Sequence, residues 1–306
     1  MSQIIACVPN ISEGRDQRFI DDLIARLQGI DGLIILDVAV DHDQNRTVLS
    51  FTGTKDAIFE GGVLLYDLSL KKIDMRRHEG DYPRVGAVDV FPFVPLKGAD
   101  ISDAKKWADE FAEIVAERFS LPVYLFGASA RYRYRGDVQN IRQGEYEGFA
   151  EKMKDLRWKP DLGPNDFPAD KGVTIIGARQ PLISFKAYLS THDLETAKEI
   201  GHLVADTSGG HIRAVPGQDH DDGHVYLSVA ITNYLTTPLY RVVENIRLEG
   251  RRFGVEIRRT EITGLIPEVV LIRAAEYYLG LQGFDHETLL ERNIQKHLDG
   301  KFLFGR

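Results

Sequence analysis

The chain has 306 residues, 43% of them apolar and 27% charged, the make-up of an ordinary globular protein long enough for two domains with a small-molecule cleft between them. Its formal charge of −8 disfavours broad binding to nucleic acid or anionic membranes, so an anionic ligand needs a local basic pocket. The start MSQIIACVPNISEGR lacks the basic and long apolar regions of a secretory signal and no later run reaches membrane-spanning length, so the expected location is the cytoplasm.

In chain order, Ile4 to Pro9 reads as a strand, with the lone Cys7 as a small buried residue that has no disulfide partner. Phe19, Ile20, Leu23, Ile24 and Leu27 recur at helical spacing up to Gly29. Leu33 to Val40 and Thr47 to Phe51 read as strands, Asp56 to Ile73 as a helix, and Val85 to Val94 as an apolar strand. Trp107, Phe111, Ile114 and Val115 mark a third helix with Ser102 as its expected cap, and Val123 to Phe126 is a short strand. The second half repeats this order. Gly172 to Ser190 is strand-like, Leu194 to Val204 helical, His211 to Val215 and His224 to Thr232 strands, a helix opens at Thr237 and Pro238, buries Leu239, Val242, Val243 and Ile246 and ends at Gly254, and Val255 to Ile262 is a strand. Two β-α-β-β-α-β units in tandem predict an α+β fold of paired ferredoxin-like subdomains rather than one doubly wound sheet.

Between the halves, Arg131 to Lys171 opens on RYRYR and ends on WKPDLGPNDFPADKG, too rich in proline and glycine for a regular element, and is read as a connecting loop. Trp158 and Phe167 within it suggest a functional loop, because long loops inside compact proteins commonly carry function. From Pro267 two helices are expected, the last with Leu290, Ile294 and Leu298 on one face for docking or dimer contact.

The densest polar cluster is HEGDYPR, His78 to Arg84, with an imidazole, two carboxylates, a phenol and a guanidinium at a helix exit just before an apolar strand. Asp41, Asp43, Asn45 and Arg46, in DHDQNRT, fit a hairpin turn. Arg46 also offers a bidentate donor for a carboxylate, at the same sheet end as HEGDYPR if the strands pair as read. Arg76, Arg77 and Arg84 fit either a helix C-terminal charge cap or a grip on an anionic tail. Asp219 to His224, DHDDGH, has metal-ligand residue types, but a DG turn explains the same letters and HExxH spacing is absent, so no metal is expected. No GxxxxGKS, GxGxxG or GxSxG motif occurs.

CVPNISEGRD (Cys7 to Asp16), ILDV, NRTV, IDMRRHEGDYPRVGAVDVFPFVP, PVYLFG, IRQGEYEGF, DLGPNDFPADKG and GARQPLISF together resemble the formiminotransferase domain of glutamate formimidoyltransferases, folate-dependent enzymes of histidine breakdown. The likeness is weaker after about Ser190, and the cyclodeaminase domain of bifunctional relatives has no counterpart in the sequence. The resemblance implies two ferredoxin-like subdomains, 1–171 with the connecting loop and 172–306, with a ligand groove between them, and a homodimer. It implies tetrahydrofolate as co-substrate and formimino transfer between N-formimino-L-glutamate and tetrahydrofolate. The segment Gly163, Pro164, Asn165, Asp166, Phe167, Pro168, Ala169, Asp170, Lys171 and Gly172 corresponds to the family's folate-contacting loop.

The family pattern reads GEHPR where this chain reads GDYPR, which puts Tyr82 at the position of the catalytic histidine; His78 corresponds to a nearby family histidine. Formimino transfer requires one amine to lose a proton and another to gain one, work suited to an imidazole. A phenol ionises near 10, and deprotonating one at neutral pH costs about 4 kcal/mol unless its neighbours intervene. The expected roles are therefore proton relay by His78, hydrogen-bond donation by Tyr82, and substrate orientation by Asp41 and Arg46. Two variants of this reading are activation of Tyr82 by Arg84 or Arg77 and a shuttle on a nearby carboxylate. The alternatives are a noncatalytic folate-binding protein and a related enzyme acting on 5-formyltetrahydrofolate.

Overall fold

In the computed structural model, which describes residues 3–219 and 223–294, the expected Ile4 to Pro9 strand is only β1 (Ile5–Cys7), and a second short strand, β2 (Asn10–Ile11), follows Pro9, which has no amide proton to give the ladder. There follow α1 (Gln17–Gln28), β3 (Leu33–Asp41), β4 (Arg46–Gly53), α2 (Lys55–Lys72), β5 (Val88–Pro95), α3 (Ile101–Phe119) and β6 (Val123–Gly127). α3 is capped by Asp100 in a reciprocal box with Asp103, not by Ser102, because the helix begins two residues earlier than its apolar stripe suggests. Two short helices, α4 (Val138–Arg142) and α5 (Glu145–Lys152), precede β7 (Thr174–Ala178).

Contacts divide the chain into Met1–Leu182 and Ile183–Arg306. In the first unit the strands are ordered β3-β4-β1/β2-β5-β7-β6, antiparallel as far as β5 and parallel beyond it. Residues 172–182, expected with the second subdomain, belong to the first: Val90 pairs with Ile175, and Leu125 with Ile176. The expected Gly172 to Ser190 strand is thus two strands in two sheets. Every residue of β5 is buried, as a strand covered on both faces requires. Phe91 and Phe93 pack with Phe51, Tyr66 and Phe111 under α1, α2 and α3. Val90, Tyr124, Phe126 and Ile175 form a second core with Ile141 and Phe149 on the opposite face. The segment read as a connecting loop therefore folds over the back of the sheet and contributes α4 and α5 to a core of its own.

The second unit contains β8 (Ile183–Leu189), α6 (Leu194–Asp206), β9 (Ile212–Gln218), β10 (Val225–Ile231), α7 (Leu239–Arg252), β11 (Ile257–Thr263) and α8 (Glu268–Leu279). Its antiparallel sheet has the order β11-β8-β10-β9, and Phe185, Leu227 and Val229 pack against Ile200, Val204, Val242 and Ile246 of α6 and α7. α8 supplies the first expected C-terminal helix; Leu298 of the second lies outside the described residues, as do His220, Asp221 and Asp222. No described helix is long and apolar enough to cross a membrane.

Candidate active site

Three loops meet at one end of the first unit's sheet: 12–16 after β2, 42–45 between β3 and β4, and 78–84 before β5. Asn45 ties them together. Its side chain accepts from the Gly14 amide at 2.9 Å and donates to the Glu79 carbonyl at 2.9 Å, and its own carbonyl accepts from His78 Nε2 at 3.0 Å. Asn45 adopts φ of 47°, a left-handed conformation that asparagine tolerates. Gly80 passes so near the turn that a Cβ there would stand 2.3 Å from the Gln44 carbonyl oxygen. The polar residues of HEGDYPR are thereby held against DHDQNRT.

Tyr82 sits in this cleft between two guanidiniums. The Arg46 guanidinium lies 4.0 Å from its ring centroid, and Arg142 Nη1 donates to its hydroxyl oxygen at 3.1 Å. Arg142, 4% exposed at the end of α4, is fixed by an ion pair with Asp89, 2% exposed on β5. Burial works against the Arg142 charge, but attraction and hydrogen bonding to Asp89 and Tyr82 together outweigh it and raise the guanidinium above its ordinary value. Arg46 donates to Asn10 Oδ1 at 2.8 Å and Gln44 Oε1 at 3.3 Å, both neutral acceptors, and forms no ion pair among the described residues. Burial therefore lowers its guanidinium. The cleft, lined also by Ser12 and His78, accordingly presents one cation without a carboxylate.

His78 is engaged at both ring nitrogens. Nε2 donates to Asn45, and Nδ1 accepts from Arg84 Nε at 3.2 Å. Arg84, 7% exposed, grips Glu147 with two bonds of 2.9 and 2.6 Å and donates to the His78 carbonyl at 3.2 Å. This pairing holds the Glu147 carboxyl below its ordinary value. Arginine has no acceptor, so the bond from Arg84 fixes the neutral tautomer of His78 and occupies the lone pair that a proton relay needs. The ring is a strut between two loops. Burial lowers the His78 pKa from 6.5, with the Arg84 charge acting in the same direction and the Asn45 bond opposing it. The unfolded chain then binds the proton first, so stability is full above about pH 6.5 and falls as pH drops through the folded value. Urea midpoints measured across this range should decline with acidity, and His78→Gln should flatten the decline; an unchanged slope in the variant contradicts the assignment.

The remaining predicted residues separate. Asp41 is exposed, and its carboxylate accepts from the Gln44 amide at 2.9 Å, the hairpin-turn role. Arg77 is exposed, and neither Arg77 nor Arg84 bonds the Tyr82 hydroxyl; Arg142 does. The loop Gly163 to Gly172 is anchored to the base of HEGDYPR, since the Met75 amide donates to Asp170 at 2.9 Å and Gly86 bridges Gly172. Phe167 packs on Tyr146 and Phe149, and the Trp158 ring lies 3.9 Å from Lys152 Nζ, so both aromatics are partly committed to the protein itself. Asp89, Arg142 and Glu147 escaped sequence reasoning. One signal was present: a carboxylate inside the apolar run VGAVDVFPFV needs a buried cation.

The two units make an α+β protein whose first sheet carries a polar cleft lined by Arg46, His78, Tyr82 and Arg84. Residues 4–179 match the formiminotransferase domain, N-terminal subdomain, and residues 198–295 the formiminotransferase domain. The chain is 35% identical over 298 residues to glutamate formimidoyltransferase of Streptococcus pyogenes serotype M1, covering 96% of this chain and 99% of that one. It is 37% identical over 297 residues to glutamate formimidoyltransferase of Thermoplasma acidophilum, covering 96% and 98%. Formimidoyltransferase-cyclodeaminase of Rattus norvegicus is 33% identical over 290 residues, covering 91% of this chain and 53% of that protein. The chain belongs to the formiminotransferase family.

Proposed function

We propose that the protein is a folate-dependent one-carbon transferase that moves the formimino group between N-formimino-L-glutamate and tetrahydrofolate. The observation that carries this reading is near full-length similarity to glutamate formimidoyltransferases in a chain whose site offers an unpaired guanidinium beside a phenol. The folate N5 lone pair attacks the formimino carbon, the C=N pair moves onto its nitrogen, and collapse breaks the bond to the glutamate nitrogen. N5 loses one proton and the glutamate nitrogen gains one. Tyr82 donates toward the nitrogen that gains charge, and Arg46 takes a substrate carboxylate. His78 and Arg84 hold the loop that carries Tyr82, and the Gly163 to Gly172 loop contacts the pterin. Asp41 shapes the turn that presents Arg46. On this reading each four-stranded β-α-β-β-α-β set is ferredoxin-like, and the enzyme works in the cytoplasm as a homodimer.

The test is formation of 5-formiminotetrahydrofolate by purified protein from formiminoglutamate and tetrahydrofolate; binding without turnover sinks the proposal. Arg46→Met should raise KM for formiminoglutamate about tenfold to a hundredfold, the worth of a charge-assisted bond, with a smaller change in kcat. An unchanged KM removes Arg46 from substrate binding.

A further inference from the structure

Arg142 lies outside the polar cluster that suggests the chemistry, on a helix of only five residues, yet it is the group that bonds the Tyr82 hydroxyl. Its two terminal nitrogens have different partners: Nη2 is spent on Asp89 and Nη1 on Tyr82. Asp89 is itself immobilised, because its other oxygen accepts from the Val85 amide at 2.9 Å within the strand entry that follows HEGDYPR. A guanidinium can donate but not accept. The phenol oxygen therefore receives the bond from Arg142, and its own proton must point elsewhere. Arg46 covers the ring face, so the hydroxyl has the remaining cleft as its outlet.

We infer that Arg142 is a positioning residue that acts through Tyr82: it turns the phenol proton toward the reacting nitrogen, and Asp89 keeps the guanidinium in register. The inference rests on the transferase reading above for its kinetic consequence, but the contact exists whatever the reaction. The arrangement also explains how a tyrosine occupies this turn usefully. A phenol reaches the buried Arg142 fork and becomes a one-way donor, with no need for a free ring nitrogen.

Arg142→Lys separates this role from a purely structural one. A lysine ammonium keeps the charge opposite Asp89, but one nitrogen on a flexible stem does not span Asp89 and the phenol together. The expected result is a kcat about tenfold lower, with KM for both substrates within about twofold. In a Tyr82→Phe background the same change should add less than about twofold, because the hydroxyl it orients is gone. An equal loss in both backgrounds overturns the inference. Asp89→Asn runs the same cycle from the other end of the guanidinium should the lysine variant not fold, with the same two outcomes. Tyrosine labelled with carbon-13 at Cζ supplies a readout without turnover. The resonance missing in Tyr82→Phe should shift in Arg142→Lys or Asp89→Asn, and an unmoved resonance overturns the inference even if the protein transfers nothing.

Discussion

Tyr82→Phe should lower kcat for formimino transfer about a hundredfold while leaving KM for both substrates nearly unchanged. The substitution removes one oxygen and keeps the ring on which the Arg46 guanidinium rests at 4.0 Å, so the surface available to substrate is preserved. What disappears is a proton donor directed by Arg142 toward the nitrogen that gains charge. Donors so placed are commonly worth about 2 to 4 kcal/mol in the transition state. The accompanying loss of folding stability should be about 1 kcal/mol, because Arg142 Nη1 forfeits one acceptor while its pair with Asp89 persists. Steady-state kinetics with each substrate varied in turn decides the matter. A variant that turns over as fast as the parent takes Tyr82 out of the mechanism and leaves the phenol as packing.

The largest effect on stability should follow Arg135→Met. Arg135 is 1% exposed and pairs with the equally buried Asp161 at 2.7 Å; its other nitrogen donates to the carbonyls of Arg157 and Lys159 at 2.6 and 2.8 Å. The rings of Tyr124, Tyr132, Tyr134 and Trp158 surround the guanidinium at 5.0 to 5.7 Å. Taking away one member of a buried pair strands the other charge and typically costs about 3 to 5 kcal/mol. Asp161 also accepts from the Leu125 amide on β6, so the damage should spread along residues 123–162. Urea unfolding gives the magnitude and hydrogen exchange the location. Adding Asp161→Asn should restore part of the loss, since the stranded charge is then gone. A loss below about 1 kcal/mol contradicts the role assigned to this pair.

Arg135 also shows where sequence reading stopped. RYRYR is conspicuous as a motif, but its alternation of cation and ring fits a solvated turn equally well. Only the return of the chain through Asp155 to Asp161 reveals that one arginine is enclosed by the rings around it. The same holds at the cleft. Tyr82, His78 and Arg46 stand out by composition and come together, because local turns bring 41–46 and 78–84 to one sheet end. Asp89 and Arg142 are 53 residues apart, and each is a single charged letter among ordinary neighbours. Side-chain type alone points to a relay at His78, and only the fold reveals that Arg84 bonds its Nδ1.

Periodicity and turn chemistry, both local properties of the chain, determined most strands and helices of the two units and the polar turn that marks the site. Tertiary structure decided that Thr174–Ala178 completes the first sheet, that the proline-rich segment covers its second face, and that Arg142 rather than Arg84 or Arg77 meets the phenol. The physical reason is the same in each case. A strand accepts any partner with a matching edge, and a buried charge any counter-ion of opposite sign, so the choice is made by which distant segments the packed core brings within hydrogen-bond reach.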